Sequence, residues 1–194
     1  MSRYITIALN DVGIPGRTPG MNPDYHLFWD QPLWMKYRDS KLHKRTYVVC
    51  QNLLAKRFKR YNACTFKDKL LIFSGMTGFD TIKPEDDTLH VRHTISTGGV
   101  ILAWKLGAAR IFLLGCDCYL MGEAKYHNEE VEEDARPKEA GSFPPMINEH
   151  EELRQFFDSQ GLYKGQWPDS GVYNLSSFSR LAAWDKVPLD EVLR

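Results

Sequence analysis

The chain has 194 residues, of which 43% are hydrophobic and 26% charged, values that suit one soluble domain with a core of its own. Lysine plus arginine and aspartate plus glutamate both number 25, so no net charge directs the chain to nucleic acid or to a membrane surface. The sequence lacks a signal-peptide pattern and any apolar run long enough to span a membrane. Its four cysteines follow no metal-site spacing, so we expect reduced thiols in a cytoplasmic protein.

Most of the secondary-structure elements predicted in the first half of the chain are short strands. Runs rich in β-branched and aromatic residues predict strands at Tyr4–Leu9, Tyr25–Trp29, Thr46–Cys50, Leu70–Phe73 and Leu89–His93. Pro32 and Asn52 are expected to begin two short helices. Residues 10–23 are rich in glycine and proline and form a predicted loop, whose length is typical of functional loops.

The segment TISTGGVILAWKLGAARIFLLGCDCY predicts a helix followed by a strand. Ser96 and Thr97 are expected to cap a helix that opens with Gly98 and ends at Gly107. Arg110–Leu114, an apolar run bounded by glycines, predicts a strand that is covered on both faces. The strand leads into a polar stretch at its carboxyl end.

The second half of the chain completes an alternation of strands and helices. Acidic residues and prolines predict a flexible lid over residues 120–145, followed by a helix at Ile147–Phe157. The apolar face of that helix is expected to hold Leu153, Phe156 and Phe157. A last strand and a terminal helix are predicted at Val172–Leu175 and Leu189–Leu193. The whole pattern predicts an α/β fold, a single three-layer Rossmann-like domain over residues 1–194 with a mainly parallel sheet.

Polar residues at strand ends and at the helix start predict a ligand site. Ligands of open α/β sheets bind at the carboxyl ends of the strands, and Asp30 and Asp117 each follow a predicted strand. The helix start offers N–H groups and a partial positive charge, which suit a phosphate, so we expect a bound nucleotide. Simpler roles stay open: the turn Ser96–Gly99 as a plain helix cap, and both aspartates as turn or cap residues.

The order of motifs resembles that of one Rossmann-like group. The sequence carries PDY, STGG, LGAARIFLLGCDCY, a further tyrosine and YNLSSFSRL in this order. The order is similar to that of the bacterial lipooligosaccharide sialyltransferases. It is equally similar to that of the wider domain-of-unknown-function family that includes the archaeal hydroxymethylpterin pyrophosphokinase, and similar sequences occur in tailed phages. The resemblance implies a nucleotide-dependent, glycosyltransferase-like transferase that moves a sugar from a nucleotide-sugar to a hydroxyl acceptor.

The resemblance also implies roles for individual residues. Tyr119 and Tyr126 match tyrosines that hydrogen-bond the departing phosphate, a role that suits a neutral phenol donor. The nearest candidate for the general base is His150, with His127 as a rival. Four residues match nucleotide-binding positions of the relatives: Asn10, Ser96, Thr97 and Gly98. With the two strand-end aspartates, the predicted nucleotide-binding residues are Asn10, Asp30, Ser96, Thr97, Gly98 and Asp117. In YNLSSFSRL, Asn174 and the serines 176, 177 and 179 either hydrogen-bond a base or sugar, as the matching segment does in the relatives, or act as turn and cap residues.

The sequence departs from this family in two respects. Its first predicted strand has no preceding Gly-x-Gly-Pro-Ser loop, so part of the nucleotide cradle is expected to be missing or rebuilt. The second departure is that His150 lies inside a predicted helix rather than before it. A non-catalytic nucleotide-binding or sequestering protein, encoded by a phage, and an Mg²⁺-dependent pyrophosphokinase are therefore alternatives. No metal site is predicted because an Asp-x-Asp pair is absent from the sequence, while the use of Mg²⁺ and assembly into a homo-oligomer stay open.

Overall fold

All strands that the structure describes run parallel to their neighbours. The computed structural model describes residues 4–9, 23–27, 47–51, 70–73, 78–79, 82–86, 89–116, 118 and 136–193. The chain divides into a first unit, Met1–Lys105, and a second unit, Leu106–Arg194. Each unit holds a parallel sheet and at least one helix, which confirms the expected mixture of helices and parallel strands.

The first unit contains a four-stranded sheet in the order β1-β2-β3-β4. Its strands are β1 (Ile7–Leu9), β2 (Tyr25–Leu27), β3 (Tyr47–Gln51) and β4 (Leu70–Phe73). Leu9 aligns with Leu27, so β1 and β2 end at the same edge of the sheet. All four strands match predictions to within a few residues, whereas the helices expected to begin at Pro32 and Asn52 lie outside the described residues.

Helix α1 (Ile95–Lys105) packs against β1 and β2, and most of its residues are buried. At its carboxyl end, the Lys105 ammonium donates to the backbone carbonyls of Lys83 and Asp86 and pairs with the Asp86 carboxylate. These bonds connect the segment that precedes α1 to the last turn of α1. Gly107 follows with a φ of +80°, the left-handed conformation that ends many helices, as the sequence predicted.

The predicted strand Leu89–His93 is wrong. Residues 89–93 have no strand geometry, although Leu89 and Val91 are buried. Val91 packs against Gly98 of α1 instead of lying in a sheet. The alternation of apolar residues therefore predicted the burial of Leu89 and Val91 correctly, but it did not predict that the segment lies outside a sheet.

The second unit contains a three-stranded parallel sheet in the order β5-β6-β7. Its strands are β5 (Arg110–Leu113), β6 (Gly171–Asn174) and β7 (Asp185–Lys186). Leu113 aligns with Asn174, so β5 and β6 also end together. The two-residue strand β7 is too short and too polar to have been predicted from the sequence.

The expectation that β5 is covered on both faces is wrong. Ile111 and Leu113 are buried on one face, while Arg110 and Leu114 are exposed. On the outer face, Phe112 is half-buried, because its ring lies 5.8 Å from the Tyr173 ring and 5.8 Å from the Trp167 ring. Aromatic neighbours therefore cover one residue of that face and leave the strand ends open.

Helix α2 (Arg136–Ser159) begins well before the predicted Ile147 and contains Pro144 and Pro145. Residues 136–145 of the predicted lid are therefore helical, while residues 120–135 lie outside the described part. The predicted apolar face is confirmed, because Leu153, Phe156 and Phe157 are all buried.

The end of α2 is formed by a glycine in the left-handed conformation. Gly161 has a φ of +72° and donates its N–H to the Asp158 carbonyl at 3.1 Å. The Leu162 N–H donates to the Phe157 carbonyl at 2.8 Å, which completes the two bonds of a Schellman cap. The last helix, α3 (Leu189–Val192), follows Pro188 at its N-cap.

Candidate functional site

The first turn of α1 lies on the carboxyl ends of β1 and β2. A Cβ atom on Gly98 would lie 2.5 Å from Val91 Cγ2 and 3.5 Å from Leu27 Cδ2, and one on Gly99 would lie 3.1 Å from Leu9 Cδ2. Leu9 and Leu27 are the last residues of their strands. The two glycines therefore allow the positive end of α1 to approach the edge of the sheet where ligands of α/β folds bind.

The hydroxyl groups at the start of α1 bond within the turn. Thr94, rather than Ser96 or Thr97, occupies the capping position, because its Oγ1 accepts the Ser96 N–H at 3.3 Å. The same Oγ1 lies 2.7 Å from Ser96 Oγ, and Thr97 Oγ1 donates to the Thr94 carbonyl at 2.9 Å. Ser96 and Thr97 are both buried, so their first role is to shape the turn. A direct bond from either residue to a ligand stays a prediction.

Two further predicted residues follow strands of the first sheet in the sequence. Asn10 comes directly after the last residue of β1, and Asp30 comes shortly after the last residue of β2. The side chains of Asn10, Asp30, Asp117, Tyr119, Tyr126 and His127 lie outside the described residues.

At the carboxyl edge of the second sheet, one serine hydroxyl joins the loops that follow β5 and β6. After β5 the chain turns at Gly115, which has a φ of +73°, and continues through Cys116. Ser179, in the loop after β6, donates its hydroxyl to the Cys116 carbonyl at 2.8 Å and accepts the Leu181 N–H at 3.1 Å. Cys116 and Cys118 form no disulfide bond within the described part of the chain. The loop serines thus include at least one cap residue, Ser179.

Asn174 ends β6 at this edge and is fully buried. Its Oδ1 accepts the Ser176 N–H at 3.0 Å, which closes a local turn. Its Nδ2 has no hydrogen-bond partner among the residues that the structure describes. An asparagine at a strand end with a serine two residues later indicated the turn, whereas no sequence signal indicated the unbonded amide.

His150, the predicted general base, lies in α2 and is fully buried. Its Nδ1 accepts the Trp184 indole N–H at 2.9 Å, and the two rings meet edge to face with centroids 6.1 Å apart. Burial lowers the pKa of His150 from 6.5 to about 4, so the imidazole is neutral at pH 7. Since Nδ1 accepts a bond, the proton of the neutral ring is on Nε2. His150 can accept a substrate proton only if it gives up the bond from Trp184.

No protein-family model, curated protein or solved structure matches this chain. Within the described ranges, no helix has the length and apolar character needed to cross a membrane. The same part of the chain holds no group of three histidine, cysteine or acidic residues placed to bind a metal ion.

Proposed function

We propose that the chain is a nucleotide-dependent transferase with a single three-layer Rossmann-like domain, related to the sialyltransferase-like group. In this proposal it transfers a sugar from a nucleotide-sugar to a hydroxyl acceptor. The observation that supports a nucleotide site most strongly is the position of α1, whose glycine-bearing first turns lie against the last residues of β1 and β2. A phosphate placed there would interact with the positive end of the helix.

The residues after β1 and β2 supply polar groups for the rest of the nucleotide. Asn10 offers an amide for the base or sugar, and Asp30 offers a carboxylate that accepts hydrogen bonds from ribose hydroxyls. Their place in the chain, directly beyond paired parallel strands, is the one that ligands of such sheets use. Asp117 follows β5 in the sequence and stays a predicted ligand residue.

The proposed reaction is a displacement at the sugar carbon that carries the nucleotide phosphate. The acceptor hydroxyl oxygen forms the new bond to this carbon, while the bond from the carbon to the phosphate oxygen breaks and its electron pair leaves with the nucleotide. Tyr119 and Tyr126 donate hydrogen bonds to the departing phosphate, which carries the growing negative charge. The proton of the acceptor hydroxyl goes to a base, for which His127 and His150 are the candidates.

Turnover of nucleotide-sugars tests this proposal. The chain is incubated with CMP-, UDP- and GDP-linked sugars and a mixture of glycan acceptors, with and without Mg²⁺, and the released nucleotide is measured. Tyr126→Phe should slow release on the order of tenfold to a hundredfold and leave the nucleotide affinity unchanged, because the lost bond strengthens only as the phosphate departs. Tyr4→Phe is the matched control, because Tyr4 is 62% exposed near the start of the sequence and has no role in the proposed site.

A non-catalytic nucleotide-binding protein is the second candidate. The observation that favours it is the bond from Trp184 to His150, together with the lowered pKa of about 4, which makes His150 a weak base. Nucleotide binding without turnover of any nucleotide-sugar would support this candidate. AMP release that strictly requires ATP and Mg²⁺ would instead indicate a pyrophosphokinase.

A further inference from the structure

Two cysteines lie two residues apart in the turn that follows β5. Cys116 and Cys118 are both half-buried, and neither takes part in a disulfide bond within the described part of the chain. Two Cα atoms at this separation are at most about 7 Å apart, because an extended chain advances about 3.3–3.6 Å per residue. Disulfide bonds join residues whose Cα atoms are up to about 6.8 Å apart. The separation in sequence therefore places the two thiols within reach of each other.

The backbone around the two cysteines departs from strand geometry. Gly115 has a φ of +73° and Cys118 has a φ of +48°, so both adopt the left-handed conformation. This conformation is uncommon for a residue that carries a Cβ atom. No atom of the described residues lies within 4 Å of the position that a Cβ of Gly115 would take. A small molecule can therefore approach the turn beside Cys116, as attack by a thiolate on a disulfide requires.

The Cys116 peptide is joined to the loop that follows β6. Its carbonyl accepts the Ser179 hydroxyl at 2.8 Å, and the same hydroxyl accepts the Leu181 N–H at 3.1 Å. A bond between the sulfur atoms of Cys116 and Cys118 would close a small ring that contains the carbonyl carbon of Cys116. Closure of this ring constrains the torsion angles on either side of that carbon. It would therefore act directly on the direction of the carbonyl that Ser179 contacts.

We propose that Cys116 and Cys118 form a redox-responsive dithiol whose oxidation weakens the hydrogen bond from Ser179. The oxidant is a low-molecular-weight disulfide, RSSR. One cysteine thiolate attacks a sulfur atom of RSSR, which forms a mixed disulfide and releases the first RS⁻ group. The second thiolate then attacks the cysteine sulfur of the mixed disulfide, which forms the bond between Cys116 and Cys118 and releases the second RS⁻ group.

Two electrons thus pass from the dithiol to RSSR, and the two thiol protons convert the two RS⁻ groups to RSH. The product is an intramolecular disulfide in the turn after β5. This site lies within the second unit and is independent of the proposed transferase activity.

Oxidation of the whole chain by glutathione disulfide, followed by alkylation of the remaining thiols and digestion, tests the dithiol. Trypsin cuts after Arg110 and Lys125, so one peptide, residues 111–125, contains both cysteines of the turn and neither Cys50 nor Cys64. This peptide should carry no alkyl group and should be lighter than the dithiol form by two hydrogen atoms. The bridged form should exceed the glutathione adduct at least about tenfold, because the second step is intramolecular.

Hydrogen exchange at the Leu181 amide tests the effect on Ser179. Exchange should accelerate at least about tenfold in the oxidised wild type, because the hydroxyl that accepts this N–H loses its own bond to Cys116. The matched control is the double variant Cys116→Ser, Cys118→Ser, which keeps Cys50 and Cys64. The same treatment with glutathione disulfide should leave the exchange rate of its Leu181 amide unchanged.

A peptide that stays a dithiol, or that carries only glutathione, overturns the proposal. A bridged peptide with an unchanged exchange rate at Leu181 overturns the effect on Ser179. Acceleration that also occurs in the double variant overturns that effect as well, because it would arise from Cys50 or Cys64. If the double variant does not fold, Cys118→Ser replaces it as the control, since it cannot form the bridge.

Discussion

Gly98 occupies a position in α1 where a side chain does not fit, because a Cβ atom there would lie 2.5 Å from Val91 Cγ2. Val91 is buried and β-branched, so it has little freedom to move away. Close packing thus accounts for Gly98 without a ligand, although the same packing brings the start of α1 to the edge of the sheet. A packing role and a ligand-binding role for Gly98 are therefore compatible with each other.

Gly98→Ala should lower the free energy of unfolding by about 1–2 kcal/mol, because overpacking outweighs the gain in helix propensity. Gly99→Ala is the matched control, since the nearest atom to its Cβ would be Leu9 Cδ2, the end of a longer side chain, at 3.1 Å. Urea unfolding of both variants measures the difference. Equal stability of the two variants would contradict the account, and Val91→Ala in the Gly98→Ala background should restore part of the loss.

Burial of His150 predicts a defined dependence of stability on pH. Its pKa is lowered from 6.5 to about 4, so between these values the unfolded chain binds a proton that the folded chain does not. The free energy of unfolding that depends on this difference is fully present above about pH 6.5 and is lost as the pH falls towards 4. The whole loss is about 3 kcal/mol at most.

The difference between wild type and His150→Asn isolates this contribution, because asparagine Oδ1 can still accept the Trp184 N–H but does not titrate. Urea unfolding at a series of pH values from 4 to 8 should show a steeper fall for the wild type below pH 6.5. Parallel curves for the two proteins would show that His150 is not buried as a neutral ring.

At the level of elements, the edge of the second sheet depends on one buried hydroxyl. Ser179 donates to the Cys116 carbonyl and accepts the Leu181 N–H, so it joins the loops after β5 and β6. Ser179→Ala should cost about 1–3 kcal/mol, because the Leu181 N–H and the Cys116 carbonyl would lose this partner while buried or half-buried.

Ser177→Ala is the matched control for Ser179→Ala, since Ser177 is exposed and, among the described residues, its side chain makes no hydrogen bond; its backbone carbonyl accepts one from Lys186. Hydrogen exchange at the Leu181 amide should accelerate strongly in Ser179→Ala and remain at the wild-type rate in Ser177→Ala. Similar exchange in both variants would mean that the hydroxyl does not hold the loops.

The sequence was informative where an element is defined by its own residues. Apolar runs located β3 and β4 closely, and Gly107 marked the end of α1. The start of α1 was misplaced because Thr94, Ser96 and Thr97 all offer a capping hydroxyl within one short stretch, and only packing selects Thr94.

Tertiary contacts decided the features that sequence patterns missed. Leu89, His90 and Val91 are buried, and Val91 packs against α1 rather than lying in a sheet. One face of β5 is partly open, because aromatic neighbours cover only Phe112 on that face. Among the predicted site residues, Gly98 lies close to Leu27 at the end of β2, and its part in a ligand site stays a prediction. The burial and bonding of His150 could not be predicted, because they depend on Trp184, which is distant in sequence.

For the whole molecule, the mixture of helices and parallel strands agrees with the pattern in the sequence, and a single Rossmann-like domain stays a prediction. One domain should unfold in one cooperative step. Urea transitions followed by far-ultraviolet circular dichroism and by tryptophan fluorescence should therefore coincide. Two separate transitions would indicate that the first and second units fold independently.

Thermal unfolding with a panel of nucleotides and nucleotide-sugars tests the central claim, a nucleotide site, most directly. A ligand at a hundred times its Kd that binds only the folded state adds about 2.7 kcal/mol of stability. For a chain of 194 residues this corresponds to a rise in melting temperature of roughly 5–10 °C. We predict such a rise with at least one nucleotide and none with ribose alone. An unchanged melting temperature with every nucleotide at millimolar concentration would contradict the account.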